Sequence, residues 1–267
     1  MSVEIETEGR VRTITIARAQ LRNAVDPGTA SALYRAFVAF EADEAADVAV
    51  LTGADATFCA GFDLKAAASG AADDWLADLD IPDGWDDPVG APIPGPMGPT
   101  RLMLSKPVIA AIEGHAVAGG MELAAWCDMR VMARGAVAGI YCRRWGVPLI
   151  DGGTVRLPRI LGQGRASDLI LTGRPVEADE ALALGFANRV CAPGAALDVA
   201  RGIARDLVRF PQACMLADHL SGRMAPQDLA AGLRREWVSA AAFADEGRAG
   251  AARFAAGRGR AGDFSDI

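Results

Sequence analysis

The amino-acid sequence predicts an α/β fold in which short buried strands alternate with helices. Residues 47–52 and Val108 to Ile112 are almost wholly apolar runs of strand length, as is typical of strands that are buried on both faces. Between them, Pro27 opens a segment whose apolar residues recur at helical spacing. With 267 residues, of which 51% are hydrophobic, the chain can bury a sizeable core.

Composition and charge narrow the class of partner. A formal net charge of -7 argues against nucleic acid or an anionic membrane surface. Apolar runs of about 18 residues are absent from the sequence and the N-terminus is acidic, so we expect a soluble cytoplasmic protein. The five scattered cysteines form no CxxC pair and are expected to be reduced thiols, and two histidines support neither a zinc cluster nor a Ser-His-Asp triad. Metal catalysis is therefore not expected.

The N-terminal elements are predicted to form a unit of two strands and a helix. Val3 to Glu8 and Val11 to Ala17 are rich in β-favouring residues, and Gly9-Arg10 between them predicts a hairpin. A helix is expected from Pro27 to about Glu44, before the third strand at 47–52.

The stretch from Lys106 to Asp128 is predicted to fold as strand, glycine turn and helix. The strand Val108 to Ile112 leads into a turn at Glu113-Gly114. Gly119-Gly120 then opens a helix through Met121 to Trp126, because leucine, alanine and methionine favour this state.

This helix start has a chemical use. The first amides of a helix lack intrahelical acceptors, so the N–H of Gly119 could bind a developing negative oxygen. Glu122 lies about one turn along, where its carboxylate could act as a base beside that oxygen. The alternative is structural: the glycines allow close packing, and Glu122 complements the helix N-terminus.

A second glycine loop, from Gly53 to Lys65, offers a similar amide. Gly61 precedes Phe62, and Asp63 is a good cap for a following helix. The amides of Phe62 and Gly119 could together form a two-donor oxyanion hole, in which losing one donor typically costs about 3 kcal/mol of transition-state stabilisation. An ordinary capped turn is the alternative for this segment.

Three segments carry a family resemblance: Phe58 to Lys65, Lys106 to Asp128, and Gly146 to Leu157. Through them the chain resembles the crotonase (enoyl-CoA hydratase/isomerase) superfamily, over about residues 3 to 260. The resemblance implies a crotonase-like spiral of ββα units in residues 1–195 and a C-terminal helical trimerisation region in residues 196–267. A homotrimer or dimer of trimers follows from it.

The resemblance also implies a chemistry. The N–H groups of Phe62 and Gly119 would bind the thioester oxygen of an acyl-CoA, and Glu122 would match the first catalytic glutamate. The second glutamate of hydratases would fall at Cys142, whose thiol, with an ordinary pKa, would be neutral and could not polarise a water as a carboxylate does. Asp151 precedes two glycines, as an aspartate does in related superfamily members, including dienoyl-CoA isomerases. We therefore expect Glu122 and Asp151 to form the carboxylate pair, with a turn or helix cap as the alternative for Asp151.

Residues 142–144 leave three alternatives open. Arg143 and Arg144 could lower the pKa of Cys142 and make it a nucleophile. They could instead pair with Glu122 or Asp151, or hold a substrate carboxylate. Exposed arginines are the commonest outcome.

Binding of coenzyme A is expected only as part of the thioester substrate, with no further cofactor and no metal. By resemblance, the groups that would line its site are those of Arg22, Ala24, Ala60, Phe62, Asp63, Leu64, Lys65 and Gly119. Arg22 and Lys65 are the candidates for phosphate contact, with free surface side chains as the alternative.

Two further regions bear on the substrate and on assembly. Ile81 to Thr100 contains six prolines, which predicts a long irregular loop that either borders the acyl pocket or is a solvated insertion. Helices are expected at 193–208 and 229–243, and exposed apolar stripes on them would fit subunit contacts.

The sequence thus predicts an enoyl-CoA hydratase-like enzyme. The alternative chemistry is enoyl-CoA or dienoyl-CoA isomerisation by Glu122 and Asp151, which needs no bound water. An alternative of another class is a weakly catalytic protein that binds CoA esters.

Overall fold

A computed structural model describes residues 1–240 and 243–259 of the chain. The strands are β1 (Val3–Glu8), β2 (Val11–Ile16), β3 (Val48–Gly53), β4 (Val108–Ile112), β5 (His115–Val117), β6 (Met129–Ala133), β7 (Val137–Gly139), β8 (Pro175–Glu177) and β9 (Arg189–Cys191). The α-helices are α1 (Pro27–Ala42), α2 (Leu64–Ala68), α3 (Asp73–Ala77), α4 (Gly119–Trp126), α5 (Gly153–Leu161), α6 (Gln163–Thr172), α7 (Ala178–Leu184), α8 (Ala196–Val208), α9 (Gln212–Ser221), α10 (Pro226–Ala240) and α11 (Ala244–Ala255). Short 3-10 helices span Ala19–Leu21, Pro99–Arg101 and Tyr141–Trp145.

Two sheets organise the molecule. The larger has six strands in the order β1-β2-β3-β4-β6-β9. β1 and β2 form the predicted antiparallel hairpin, and all other neighbours in this sheet are parallel. The smaller sheet has the order β5-β7-β8. This mixture of parallel strands and helices confirms the predicted α/β class.

The larger sheet is covered on both faces, as the apolar runs predicted. Ile14, Leu51 and Ile112 pack in the same cluster as Leu33 and Phe37 of α1. On the other face, Val50, Ile109 and Val131 pack in a cluster with residues of α8. The α8 residues that face the sheet are small: Ala196, Ala200 and Ala204. Because small side chains permit close approach, α8 lies directly on the strands.

Most predicted elements are present, and the differences have local causes. β4 has the predicted bounds, and α4 begins at Gly119 as predicted. The helix expected from 193 begins only at Ala196, because Gly194 has a φ of +80° and forms a turn. α10 begins earlier than expected, at Pro226, and ends at Ala240. The rest of the expected helix falls partly on residues 241–242, which lie outside the described residues.

The C-terminal region reaches back onto the site-forming elements. α10 packs on α5, and α11 packs on α2 and on the 3-10 helix Tyr141–Trp145. The domain boundary near residue 195 stays a prediction, and residues 260–267 of the expected trimerisation region lie outside the described residues. Of the helices that the structure describes, none is long and apolar enough to cross a membrane.

Candidate active site

The two glycine loops singled out in the sequence lie against each other. The N–H groups of Phe58 and Cys59 donate to the carbonyl oxygens of Glu113 and His115, each at 2.8 Å. The Val117 N–H returns a hydrogen bond of 3.0 Å to the Cys59 carbonyl. A Cβ on Gly120 would lie only 2.2 Å from that carbonyl oxygen, so this close approach requires glycine. Two loops that are about sixty residues apart in the chain are therefore joined by a short parallel ladder.

The amides of Phe62 and Gly119 are both available to a ligand. Gly61 O and Asp63 N are hydrogen-bonded to Val25, which leaves the N–H of Phe62 between them. Across the described residues, neither Phe62 N nor Gly119 N donates to a protein acceptor. A Cβ built on Gly61 would lie 3.0 Å from Gly119 N, so the two loops approach closely at this point.

Ala118 holds the start of α4 in an unusual backbone conformation. Its φ is +52° and its ψ is -127°, a combination that is strained for a residue with a Cβ. Its own N–H donates to the Gly139 carbonyl at 2.8 Å, which ties the turn to β7. The ψ of Ala118 sets the plane of the next peptide, and hence the direction of the Gly119 N–H. This feature has no signature in the sequence.

Glu122 lies buried at the next turn of α4, with 3% of its surface exposed. Its Oε1 accepts hydrogen bonds from the N–H groups of Asp151 and Gly153, both at 2.9 Å. A Cβ on Gly153 would lie 2.8 Å from the same oxygen, so a side chain there would displace the carboxylate. Burial, together with the charges of Asp151 and Glu236, raises the pKa of Glu122 well above its usual range.

The Asp151 carboxylate faces the proline-rich loop and does not cap α5. Its Oδ1 accepts the Met97 N–H at 2.9 Å and the hydroxyl of Thr100. The N-cap of α5 is Gly152, which has no side chain to offer, so the helix-cap alternative for Asp151 is wrong. Burial raises the pKa of Asp151 to about 6, although both hydrogen bonds act to lower it. The structure therefore brings Asp151 to the turn that Glu122 holds.

A third buried carboxylate, Glu236 on α10, joins this turn and was missed in the sequence. Its Oε2 accepts the Gly152 N–H at 2.5 Å. Its Oε1 accepts the N–H and hydroxyl of Thr154 at 2.9 and 2.8 Å. Burial raises the pKa of Glu236 to about 7. A signal existed: Glu236 follows Leu229 and Leu233 at helical spacing, so a carboxylate stands on the apolar stripe of this helix.

Two arginines partly balance the three carboxylates. Arg156 donates to the Asp151 and Thr100 carbonyl oxygens at 3.0 and 2.7 Å. Arg101, with 1% of its surface exposed, donates to the Leu79 carbonyl at 2.6 Å. Burial lowers the pKa of both guanidinium groups, and the pKa of Arg101 falls to about 10. Both remain cations near neutral pH, so the cluster combines three carboxyl groups with two fixed positive charges.

The residues around Cys142 do not support a nucleophile. Burial, helped by the charge of Glu122, raises the pKa of the Cys142 thiol to about 12, so the thiolate is scarce at neutral pH. Arg143 donates to the Ile170 carbonyl at 3.1 Å, and the Arg144 guanidinium lies 3.8 Å from the centre of the Tyr141 ring. In the described part of the chain, neither arginine forms an ion pair with Glu122 or Asp151.

Several positions expected to bind coenzyme A are linked by hydrogen bonds. Arg22 and Lys65 are exposed, and the Arg22 carbonyl accepts the Ala60 N–H at 3.0 Å. Asp63 caps α2 as predicted, since it accepts the Lys65 N–H at 3.1 Å. Its other oxygen accepts from Arg18, which also donates to the Ala24 carbonyl. The carboxylate of Asp63 and the carbonyl of Ala24 therefore already have protein partners, whereas Arg22 and Lys65 face solvent.

The histidine, cysteine and carboxylate side chains give no metal site within residues 1–240 and 243–259. Groups of three or more that could hold an ion do not occur there. The five cysteines are unpaired: Cys59, Cys127, Cys142, Cys191 and Cys214.

Comparison with known proteins places most of the chain within one family. The profile of the family described as enoyl-CoA hydratase/isomerase matches residues 6–94 and 99–257. A carnitinyl-CoA dehydratase from Salmonella arizonae is 40% identical over 210 residues, which are 78% of this chain and 75% of that protein. A probable enoyl-CoA hydratase from Rhizobium meliloti is 38% identical over 234 residues, 87% of this chain and 85% of that one.

Similarity extends to solved structures. The crystal structure of a carnitinyl-CoA hydratase from Mycobacterium avium superposes with a TM-score of 0.81 at 27% identity, covering 96% of each chain. The matched family ranges contain Phe62, Gly119, Glu122, Asp151 and Glu236. The gap between residues 94 and 99 falls in the loop that holds Met97.

Proposed function

This chain belongs to the enoyl-CoA hydratase/isomerase family of the crotonase superfamily, and from that premise we propose that it adds water to, or removes it from, acyl-CoA thioesters. The observation that supports the proposal best is the juxtaposition of two loop amides, which donate to no acceptor among the described residues, with a pair of buried carboxyl groups. A thioester enolate needs donors for its oxygen and a proton carrier beside its α-carbon. The relatives named hydratase and dehydratase run the same chemistry in opposite directions.

We assign the oxyanion hole to the N–H groups of Phe62 and Gly119. A thioester oxygen bound there gains negative charge when water attacks the β-carbon. Two oriented amides stabilise that charge without the cost of reorienting solvent. Arg22 and Lys65 would meet the phosphates of coenzyme A at the exposed edge, while the chain segment from Ala60 to Leu64 lines its path. No further cofactor and no metal enter the proposal.

We assign the proton transfers to Glu122 and Asp151 acting as a pair. Both pKa values are raised by burial, so the pair can hold one shared proton near neutral pH. In hydration, the ionised member takes a proton from water as the C–O bond forms at the β-carbon. The protonated member gives its proton to the α-carbon as the enolate collapses. One proton is taken and one is given, so the pair still carries one proton, which has moved to the other member and passes back between them before the next turnover.

The direct test follows crotonyl-CoA and longer enoyl-CoAs with the purified full-length protein. Hydration removes the conjugated absorbance, and Glu122→Gln is expected to lower kcat by about 100-fold or more, because a positioned proton carrier typically contributes at least that much. Wild-type activity in Glu122→Gln would contradict the role of Glu122. Binding without turnover in the wild-type protein would favour a CoA-ester binding protein.

Isomerisation is the second candidate, and the burial of the Glu122–Asp151 pair favours it. Glu122 and Asp151 are each 3% exposed, and moving a proton between two carbons of an enoyl chain needs no water. A 3-enoyl-CoA substrate separates the two chemistries, since isomerisation creates the conjugated absorbance that hydration removes. A faster turnover of the 3-enoyl substrate than of crotonyl-CoA would assign the enzyme as an isomerase.

We further propose a homotrimer or dimer of trimers in the cytoplasm. Large apolar side chains stand exposed on the C-terminal region, including Phe210, Leu220 and Val238, as expected of surfaces that meet another subunit. The unpaired cysteines suit a reducing compartment. Light scattering of the purified protein measures the oligomeric state, and a monomeric mass would refute the proposed trimer. Fractionation of the source cells measures the localisation, and recovery of the protein outside the cytoplasmic fraction would refute the proposed cytoplasmic location.

A further inference from the structure

We propose that Glu236 is a positioning residue that fixes the geometry of the Glu122–Asp151 pair through the turn between them. The inference rests on the proposed function, because it assigns Glu236 a part in the same reaction. Glu236 has no expected contact with substrate, and it acts through the backbone of residues 151–154.

The turn is held from two sides by carboxylates of two different helices. Four consecutive N–H groups alternate between them: those of Asp151 and Gly153 donate to Glu122, and those of Gly152 and Thr154 donate to Glu236. The Thr154 hydroxyl adds a third hydrogen bond to Glu236 at 2.8 Å. Three amides that the start of α5 leaves without an intrahelical acceptor, those of Gly152, Gly153 and Thr154, are thus satisfied by a carboxylate.

This arrangement sets the orientation of both members of the pair. Because Oε1 of Glu122 is occupied by two amides, only Oε2 remains to exchange a proton. Asp151 projects from the same turn, and its peptide N–H is one of those two amides. Gly152 has a φ of +85°, a conformation that glycine adopts readily. This conformation turns successive N–H groups towards opposite sides of the turn, where the two carboxylates hold them. A movement of the turn would therefore displace Glu122 and Asp151 together.

Charge links Glu236 to the pair as well. The groups that face it are Glu122 on α4, Asp151 on the turn, Arg156 on α5 and Arg101 on the 3-10 helix, with Asp80 beside Arg101. The negative charge of Glu236 raises the pKa of Glu122, and that of Asp151 raises the pKa of Glu236. The three carboxyl groups therefore titrate as one coupled set.

A purely structural role would look different. If Glu236 only stabilised the N-terminus of α5, its loss would lower the melting temperature and leave the kinetics of the folded enzyme unchanged. A positioning role changes kcat and the pH profile in the folded protein. The exposed Asp228 is the matched control, since it is a carboxylate on the first turn of the same helix.

The experiment compares full-length wild-type, Glu236→Gln, Glu236→Asp and Asp228→Asn proteins with crotonyl-CoA between pH 5 and 9. In Glu236→Gln we expect kcat to fall about 10- to 100-fold, as misplaced catalytic groups typically cause, with KM within about 3-fold. Both limbs of the kcat/KM profile should move to lower pH by about one unit, because a neighbouring negative charge has been removed. Glu236→Asp restores the negative charge, but its side chain is too short to reach the N–H groups of the turn. The limbs of its kcat/KM profile should therefore return towards their wild-type pH values while kcat stays low. Asp228→Asn should match wild type.

If folded Glu236→Gln keeps the wild-type kcat and the wild-type pH profile of kcat/KM while Glu122→Gln loses activity, this inference is overturned and the proposed function stands. A wild-type protein that turns over neither crotonyl-CoA nor a 3-enoyl-CoA would overturn the proposed function itself, and the role of Glu236 with it. Folding is checked for each variant by its melting curve, and Glu236→Asp provides the readout if Glu236→Gln does not fold.

Discussion

In the proposed mechanism, Asp151 and Cys142 are the two residues that distinguish this site from the one expected of a two-glutamate hydratase. Cys142 is buried next to Glu122 as a neutral thiol with a pKa of about 12. Asp151 ionises near the pH of the cell, with a pKa of about 6. The proton-transfer capacity that Cys142 cannot supply at that pH can therefore come from Asp151.

Exchanging each side chain for an inert one tests this division. We expect Asp151→Asn to lower kcat for crotonyl-CoA by about 100-fold or more, because the amide cannot carry the proton. Cys142→Ala should keep kcat within about 3-fold, because the thiol takes no part. The assay is loss of conjugated absorbance at saturating substrate. Equal decreases in kcat in the two variants would show that Cys142 takes part in the mechanism.

The hydroxyl of Thr100 offers a finer probe of Asp151. It donates to Asp151 Oδ1, and this hydrogen bond lowers the pKa of the carboxyl group. Thr100→Val keeps the shape and removes the donor, so the pKa of Asp151 should rise. We expect the acidic limb of kcat/KM to move to higher pH, opposite to its movement in Glu236→Gln. An unchanged limb would show that Asp151 does not control it.

At the scale of elements, the proline-rich loop approaches the oxyanion hole through Met97. Its side chain is fully buried, and a Cβ on Gly119 would lie 2.8 Å from its sulfur. Its N–H is the one that Asp151 holds, so the loop is attached to the turn by its backbone. The loop therefore borders the space in front of Gly119, which favours the acyl-pocket alternative over a solvated insertion.

Shortening Met97 should widen the range of acyl groups. Met97→Ala removes volume beside Gly119 and keeps the N–H that Asp151 accepts. We expect the ratio of kcat/KM for an eight-carbon enoyl-CoA to that for crotonyl-CoA to rise about 10-fold. This is within the range by which one methylene group in a hydrophobic pocket changes substrate discrimination. Met103→Ala is the control, since Met103 lines a separate cavity beside Trp126 and Met224. A ratio that does not change in Met97→Ala would place the acyl chain elsewhere.

The elements that the sequence predicted well are those whose signal is local. β4 is an unbroken apolar run, and α4 begins at a glycine pair, so both bounds follow from a few neighbouring residues. The smaller sheet was missed because β5, β7 and β8 have three residues each, too few to show a period. α9 was missed as well, although Ala213, Leu216, Ala217 and Leu220 recur in it at helical spacing, and none of its residues is buried.

Some residues of the site have a local signal in the sequence, and others reach it only through the fold. Glu122 and the amides of Phe62 and Gly119 lie beside glycines at helix starts, a pattern visible in the chain. Thr100 and Glu236 reach the turn only through tertiary packing, from positions 51 and 82 or more residues away. The strained φ of Ala118 is likewise imposed by the fold, because an alanine by itself favours another conformation.

At the scale of the whole molecule, three buried carboxyl groups with raised pKa values make stability depend on pH. Burial raises the pKa of Asp151 to about 6, of Glu236 to about 7 and of Glu122 well above its usual range. The folded state thus binds more protons than the unfolded state, whose carboxyl groups titrate near pH 4. The linked stabilisation is complete below those unfolded values and is lost as the pH rises through the folded ones.

Other groups define the window in which this effect can be read. Burial lowers the pKa of His115 and His219, so both make stability rise with pH up to about 6.5, the usual histidine value. Burial raises the pKa of the Cys59 and Cys142 thiols, which lowers stability only above about pH 8.5. Between pH 6.5 and 8 the carboxyl cluster remains as the dominant titrating set.

We therefore expect the free energy of unfolding in urea to fall between pH 6.5 and 8. Glu236→Gln removes one member of the cluster and lowers the pKa of Glu122, so its stability should fall less steeply over this range. Asp228→Asn, which removes an exposed carboxylate from the same helix, should keep the wild-type slope. A wild-type stability that rises over this range, or a Glu236→Gln slope equal to that of wild type, would mean that the three carboxyl groups are already ionised in the folded protein and that proton sharing among them is not part of its chemistry.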